Sequence, residues 1–163
     1  MKAIIMAGGK GSRFTPLKPL VEVCGYPMFY HVYRRVREIA EDVYIAITPS
    51  SPLVFSSLPK IITKGLGYEE DVVEAVSKVG FPVLVLPSDT PLIPKGILEY
   101  LITHCRSSIC NLVSINGYVG ISLWNSLNFN DYEDVNVNYH IYNVNRFEDY
   151  IKVKNLCYEM DTE

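Results

Sequence analysis

The chain has 163 residues, 48% of them hydrophobic and 20% charged, and a formal net charge of −3. That size suits a single domain over residues 1–163, one able to bury roughly two-thirds of its unfolded surface. No apolar run approaches the ~18 residues of a membrane span, glycines cut MKAIIMAGG short of a signal sequence, and no long basic run offers a nucleic-acid surface. The composition therefore predicts a cytoplasmic protein with small-molecule partners, no membrane and no nucleic acid. Cys24, Cys105, Cys110 and Cys157 lack metal-ligand spacing and read as reduced, buried thiols.

In chain order, Ala3 to Ala7 is a short apolar run bounded by glycine, the pattern of a strand buried on both faces. Residues 27–40 place Met28, Val32, Val36 and Ile39 at helical spacing, with Arg34, Arg35, Arg37 and Glu38 between them. VYIAIT (43–48) predicts a second strand and KIIT (60–63) a short third, with a loop at 49–52. Residues 69–79 predict a helix whose acids Glu69, Glu70 and Asp71 occupy the first turn, where the helix dipole favours them. FPVLVL (81–86) is an interior strand ended by PSDTP, and Pro94 is expected to open a helix running to His104. Strands are expected at 110–115, 118–124 and 139–144, an exposed loop at 125–138, and a last helix at 147–156. Alternation of this kind favours α/β architecture: a mostly parallel central sheet with helices on both faces and ligands at the carboxyl ends of the strands.

The first strand ends in a loop that holds Gly8, Gly9 and Gly11. Consecutive glycines let backbone N–H groups converge on an anion, and Arg13 and Lys18 add a forked donor and a mobile charge, which suits a triphosphate. The loop is neither G-x-x-x-x-G-K-[ST] nor G-x-G-x-x-G, since Phe14 stands where the third glycine would be.

The string A-G-G-K-G-S-R, followed by K-P-L and C-G-Y-P-M, resembles the signature loop of MobA-like nucleotidyltransferases. Within that superfamily it is most similar to the archaeal adenosylcobinamide-phosphate guanylyltransferases, with the molybdenum cofactor guanylyltransferases close behind. KGLGYEEDV (64–72) resembles their G-x-G-Y-x-x-D segment, SDTPL their metal-binding aspartate loop, and Asn143-Val144-Asn145 the N-x-N before the final helix. Arg13 and Lys18 stand one residue closer together than expected from those relatives, with Thr15-Pro16 in place of a Gly-Gly.

The resemblance implies a Rossmann-like nucleotide-diphospho-sugar transferase fold. It also implies transfer of GMP from GTP to a phosphorylated acceptor, adenosylcobinamide phosphate in the nearest relatives. Lys18, Arg13 and Asp89 would be catalytic, and Ala7, Gly8, Gly9, Lys10, Gly11, Ser12, Gly65, Gly67 and Asp71 would hold the nucleotide. Mg²⁺ would sit on Asp89, Asn143 and Asn145, and a homodimer is compatible with this family. Such transfer needs no general base, because the attacking phosphate is already ionised; the demand is electrostatic. Asp71 would accept from guanine N1–H and its N2 amine, although a first-turn acid also stabilises a helix with no ligand. Asn145 would equally serve as a helix N-cap with Glu148 at N3. Transfer to another phosphorylated acceptor, such as molybdopterin or a sugar phosphate, and a non-catalytic nucleotide-binding module both fit the same residues.

Overall fold

Ile4 and Ile5 are both fully buried, on opposite sides of the first strand, and this decides the architecture. In the computed structural model, which describes residues 1–8, 15 and 17–157, that strand is β1 (Lys2–Met6). Two further strands, β2 (Glu22–Val23) and β3 (Tyr26–Pro27), form a small hairpin of their own. The remaining strands are β4 (Asp42–Ile47), β5 (Lys60–Ile62), β6 (Val83–Pro87), β7 (Ile109–Ser114), β8 (Gly117–Trp124) and β9 (Tyr132–Asn136). The seven-stranded sheet has the order β5-β4-β1-β6-β8-β7-β9, with β1 paired in parallel to β4 and β6. Only β8 runs against its neighbours, so the sheet is mostly parallel, as the sequence predicts.

Four helices are described: α1 (Met28–Arg37), α2 (Tyr68–Val79), α3 (Ile97–His104) and α4 (Phe147–Asn155). Ile5, Ile45 and Leu86 share one core layer with Val32 and Val36 of α1 and Leu98 and Leu101 of α3. Ile4, Ala46 and Val85 share the opposite layer with Val72, Ala75 and Val76 of α2. Successive residues of a buried strand face opposite ways, so each face needs its own helical cover. Among the described residues, no helix is long and apolar enough to cross a membrane.

Several expectations are corrected. Helix α3 starts at Ile97 rather than at Pro94, because Gly96 has φ +88, which an α-helix cannot contain. The loop expected at 125–138 contains β9, an edge strand in which only Val135 is buried, so its polar sequence hides the pairing with β7. The strand expected at 139–144 is irregular chain instead. Its backbone bonds to loops: Ile141 N–H donates to the Asn116 side chain and Val144 N–H to the Asp89 carbonyl. Arg146 occupies the N-cap of α4, and the N–H groups of Asn145 and Arg146 both donate to Asp149 Oδ2 at 3.0 Å. Asn145 is therefore not the cap, and Asp149 takes the role expected of Glu148.

The cysteines are not free thiols: Cys24 pairs with Cys157 and Cys105 with Cys110. The first bond ties α4 to the β2–β3 turn, where Cys24 and Gly25 both have positive φ, as a two-residue type I′ hairpin requires. Spacing shows only sequence neighbours, and Cys24 and Cys157 lie 133 residues apart.

His31 of α1 supports the same hairpin, with its Nε2–H donating to the Val23 carbonyl. Burial pushes its pKa down, the bond to Val23 partly opposes this, and Arg34 nearby adds to the lowering. The folded state thus holds His31 neutral where the unfolded chain takes up a proton, so stability is lost as pH falls below about 6.5. Urea midpoints measured from pH 7 to pH 5 are expected to fall more steeply for wild type than for His31→Gln; equal slopes would refute this role.

Candidate active site

β1 and β6 run side by side and end together, so the residues that follow them share one corner. Beyond β1, Ala7 N–H donates to the Ala46 carbonyl at 2.8 Å, and the Met6 carbonyl accepts from Ser88 N–H at 3.1 Å. Gly8 lies against Thr48, where a Cβ would stand 3.3 Å from the Thr48 nitrogen, tighter than a side chain ordinarily tolerates. Gly9, Lys10, Gly11, Ser12 and Arg13 lie outside the described residues.

Lys18 opens a short 3₁₀ turn (Lys18–Leu20), and its ammonium reaches Asp89 Oδ2 at 3.1 Å. The other carboxylate oxygen, Oδ1, accepts from Asn143 Nδ2 at 3.1 Å, and the same amide donates to the Val119 carbonyl at 3.1 Å. Val144 N–H holds the Asp89 main chain at 2.8 Å. Residues 71 and 54 positions apart in the chain thus orient one carboxylate from both sides. Asn145 is exposed, and its described contact is the backbone bond to Asp149. The structure therefore brings Lys18, Asp89 and Asn143 together, with Asn145 one step outside.

Gly65 and Asp71 belong to the wall next to Gly8. Asp71 is buried at the start of α2, where its Oδ1 accepts from the N–H groups of Gly65 at 3.1 Å and Leu66 at 3.3 Å. Gly65 (φ +74) comes so near Thr48 that a Cβ would sit 3.0 Å from its methyl, and Gly67 (φ +145) caps α2. Gly8 and Gly65 thus both lie against Thr48.

Two site residues carry no assigned role in the sequence reading: Tyr68 and Gly120. A cavity of about 200 Å³ is lined by Met6, Ala7, Lys18, Tyr68, Ser88 and Asp89, among others. Tyr68, on its wall, donates its hydroxyl to the Gly120 carbonyl at 2.9 Å. Gly120 has φ +85 and faces Pro87, which ends β6 with no N–H to offer β8. Although 47% of Tyr68 is exposed, its hydroxyl end is packed in, and this burial, helped by the Asp89 charge, raises its pKa well above the usual phenol range. Tyr68 thus stays a hydrogen-bond donor at every working pH. It stands within the quoted KGLGYEEDV segment, so the signal was present; its partner is 52 residues away.

The family model that describes the MobA-like NTP transferase domain matches residues 3–119, and the chain belongs to that family. It is 30% identical over 116 residues to the adenosylcobinamide-phosphate guanylyltransferase of Methanocaldococcus jannaschii, covering 64% of this chain and 59% of that protein. It is 26% identical over 129 residues to the 3-deoxy-manno-octulosonate cytidylyltransferase of Escherichia coli, covering 69% of this chain and 52% of that one. The chain thus spans less than two-thirds of the length of these relatives. Among solved structures it is similar to a nucleotidyl transferase from Methanothermobacter thermautotroptrophicus, at TM-score 0.77, 13% identity and 98% coverage of both chains. It is also similar to CMP:2-keto-3-deoxy-manno-octonic acid synthetase complexed with CTP, at TM-score 0.72, 16% identity and 98% coverage of both. At such identities these structures bear on the fold, which is that of the nucleotide-diphospho-sugar transferases.

Proposed function

We propose that this chain is a guanylyltransferase that moves GMP from GTP to a phosphorylated acceptor, adenosylcobinamide phosphate, releasing pyrophosphate. The observation that carries the reading is the Lys18–Asp89–Asn143 constellation beside the exit of β1. An acceptor phosphate oxygen forms a bond to the α-phosphorus, the bond from that phosphorus to the bridging oxygen breaks, and pyrophosphate leaves with the electron pair. Lys18, together with Arg13, neutralises phosphate charge during this exchange. Gly8, Gly9, Lys10, Gly11 and Ser12 are assigned to the phosphates because consecutive glycines suit backbone N–H groups converging on an anion. Asp71, which shapes the Gly65–Gly67 loop, is assigned to the N–H edge of guanine.

Mg²⁺ is commonly held by one or two carboxylates together with substrate phosphates, and Asp89 supplies a hard carboxylate of that kind. Asn143, the second residue we assign to the ion, turns its amide N–H to Asp89 and to the Val119 carbonyl, so it orients the carboxylate. Asn145 is the third residue we assign to the ion. Bound there, the ion would supply positive charge to the phosphate oxygens. Lys18, now on Asp89, would then be free to turn to phosphate.

The test is incubation with each labelled NTP, Mg²⁺ and adenosylcobinamide phosphate, read as product mass and pyrophosphate. GTP with this acceptor is expected to give the guanylylated product. Product with molybdopterin or a sugar phosphate instead would reassign the acceptor. GTP binding without pyrophosphate from any acceptor would leave a nucleotide-binding module.

A further inference from the structure

On the other side of Tyr68 lies a second and larger cleft. It measures about 540 Å³ and lies between α2 and the faces of β7, β8 and β9. Tyr68 lines both spaces. No helix covers this part of the sheet among the described residues, and its aromatic side chains face outward: Tyr118 and Tyr132 are each 67% exposed and Phe129 55%. Trp124 forms the floor, edge-on to Phe129. A cluster of this kind beside a polar site marks a binding surface rather than scattered surface residues.

The charges are one-sided. Among the described lining residues, the ionisable acids and bases are Glu69 and Asp134, both carboxylates, with no Lys, Arg or His. Asp134 is held in place by Tyr118, whose hydroxyl donates to Oδ2 at 2.6 Å. Across Tyr68 the cavity is lined by one charge of each sign, the Lys18 ammonium paired with Asp89, and Lys18 is the cation an acceptor phosphate would meet there. We infer that the cleft seats the body of the phosphorylated acceptor and selects its charge class: a neutral or cationic ring-bearing body is accepted and an anionic one rejected. The inference rests on the nucleotidyl-transfer reading. The acceptor phosphate points past Tyr68 towards Lys18, while its rings lie on Tyr118, Phe129 and Tyr132. A positive group there gains from the aromatic faces and both acids, whereas a second phosphate meets like charge.

The probes are three compounds of one ring size: glucosamine 1-phosphate, glucose 1-phosphate and glucose 1,6-bisphosphate. Trp124, the single tryptophan of the chain, reports occupancy by fluorescence, measured on the intact chain with GTP and Mg²⁺ present. Affinity is expected to fall in the order given, with the bisphosphate at least about tenfold weaker than glucose 1-phosphate. In the double variant Glu69→Gln, Asp134→Asn this gap is expected to close. Both side chains are exposed, and asparagine keeps an acceptor for Tyr118, so the fold is retained. GTP affinity, measured separately by calorimetry, is expected to be unchanged by the double variant. Equal affinity for the bisphosphate, a gap that persists in the variant, or no Trp124 response to either monophosphate would overturn the assignment. A wild-type chain that binds no GTP would instead overturn the nucleotidyl-transfer reading beneath it.

Discussion

Asp89→Ala is expected to lower turnover by about 10²- to 10³-fold, the range typical when one electrostatic partner of a transition state is removed. Asp89 extends from the end of β6, and both of its oxygens are committed: Oδ2 to Lys18 and Oδ1 to Asn143. Alanine deletes these side-chain links yet keeps the bond from Val144 N–H to the residue-89 carbonyl, so the strand end stays anchored. The stability change should therefore be small beside the kinetic one. An exposed ion pair is worth about 0–1 kcal/mol, and this pair, with side chains 18% and 14% exposed, lies somewhat above that class. Asp89→Asn separates charge from shape: it retains an acceptor for Asn143 but loses the negative charge, and is expected to be nearly as impaired. Pyrophosphate release is measured beside the melting temperature of each variant. Activity within twofold of wild type for Asp89→Ala would remove Asp89 from the chemistry.

Ile5→Ala should have the largest effect on stability. Ile5 has no exposed surface and lies in β1, between β4 and β6, in the layer shared with α1 and α3. Truncating such a residue costs the transfer of three carbons plus the cavity left behind, about 2–5 kcal/mol, against a total stability of about 5–15 kcal/mol. For a chain of this size that lowers the melting temperature by roughly 4–20 °C. Phe55→Ala is the contrast. Its side chain is 94% exposed, and its loss should fall within about 0.5 kcal/mol of wild type. If the two variants melted alike, β1 could not be a buried interior strand of the sheet. β1 also delivers Ala7 and Gly8 to the site, so Ile5→Ala is expected to show lost activity on warming well before wild type does.

The structure bears out the parts of the reading that rest on long apolar signals. The runs at 43–48 and 81–86 become β4 and β6, and the spaced valines of 69–79 become the buried face of α2. Edge strand β9 was hidden because one buried valine suffices for a strand that packs on a single side. The segment 139–144 misled for the opposite reason: Ile141 and Val144 are buried, but their N–H groups bond to Asn116 and Asp89 rather than to a neighbouring strand. Burial alone does not make a ladder.

Periodicity and glycine placement determined a mostly parallel α/β sheet and a glycine run after its first strand, and the likeness of SDTPL to a metal-binding loop singled out Asp89. These are local properties: side-chain period is set by backbone geometry, and turn residues by allowed φ. Only the tertiary structure decided that Lys18 and Asn143 meet on Asp89, that Cys24 joins Cys157, and that Tyr68 reaches Gly120 between the cavity of the Lys18–Asp89 pair and an aromatic, acidic cleft. Each of those pairs spans 50 or more positions. Their distance in space follows from strand order, and strand order is settled by how whole faces pack, which no short stretch of residues records.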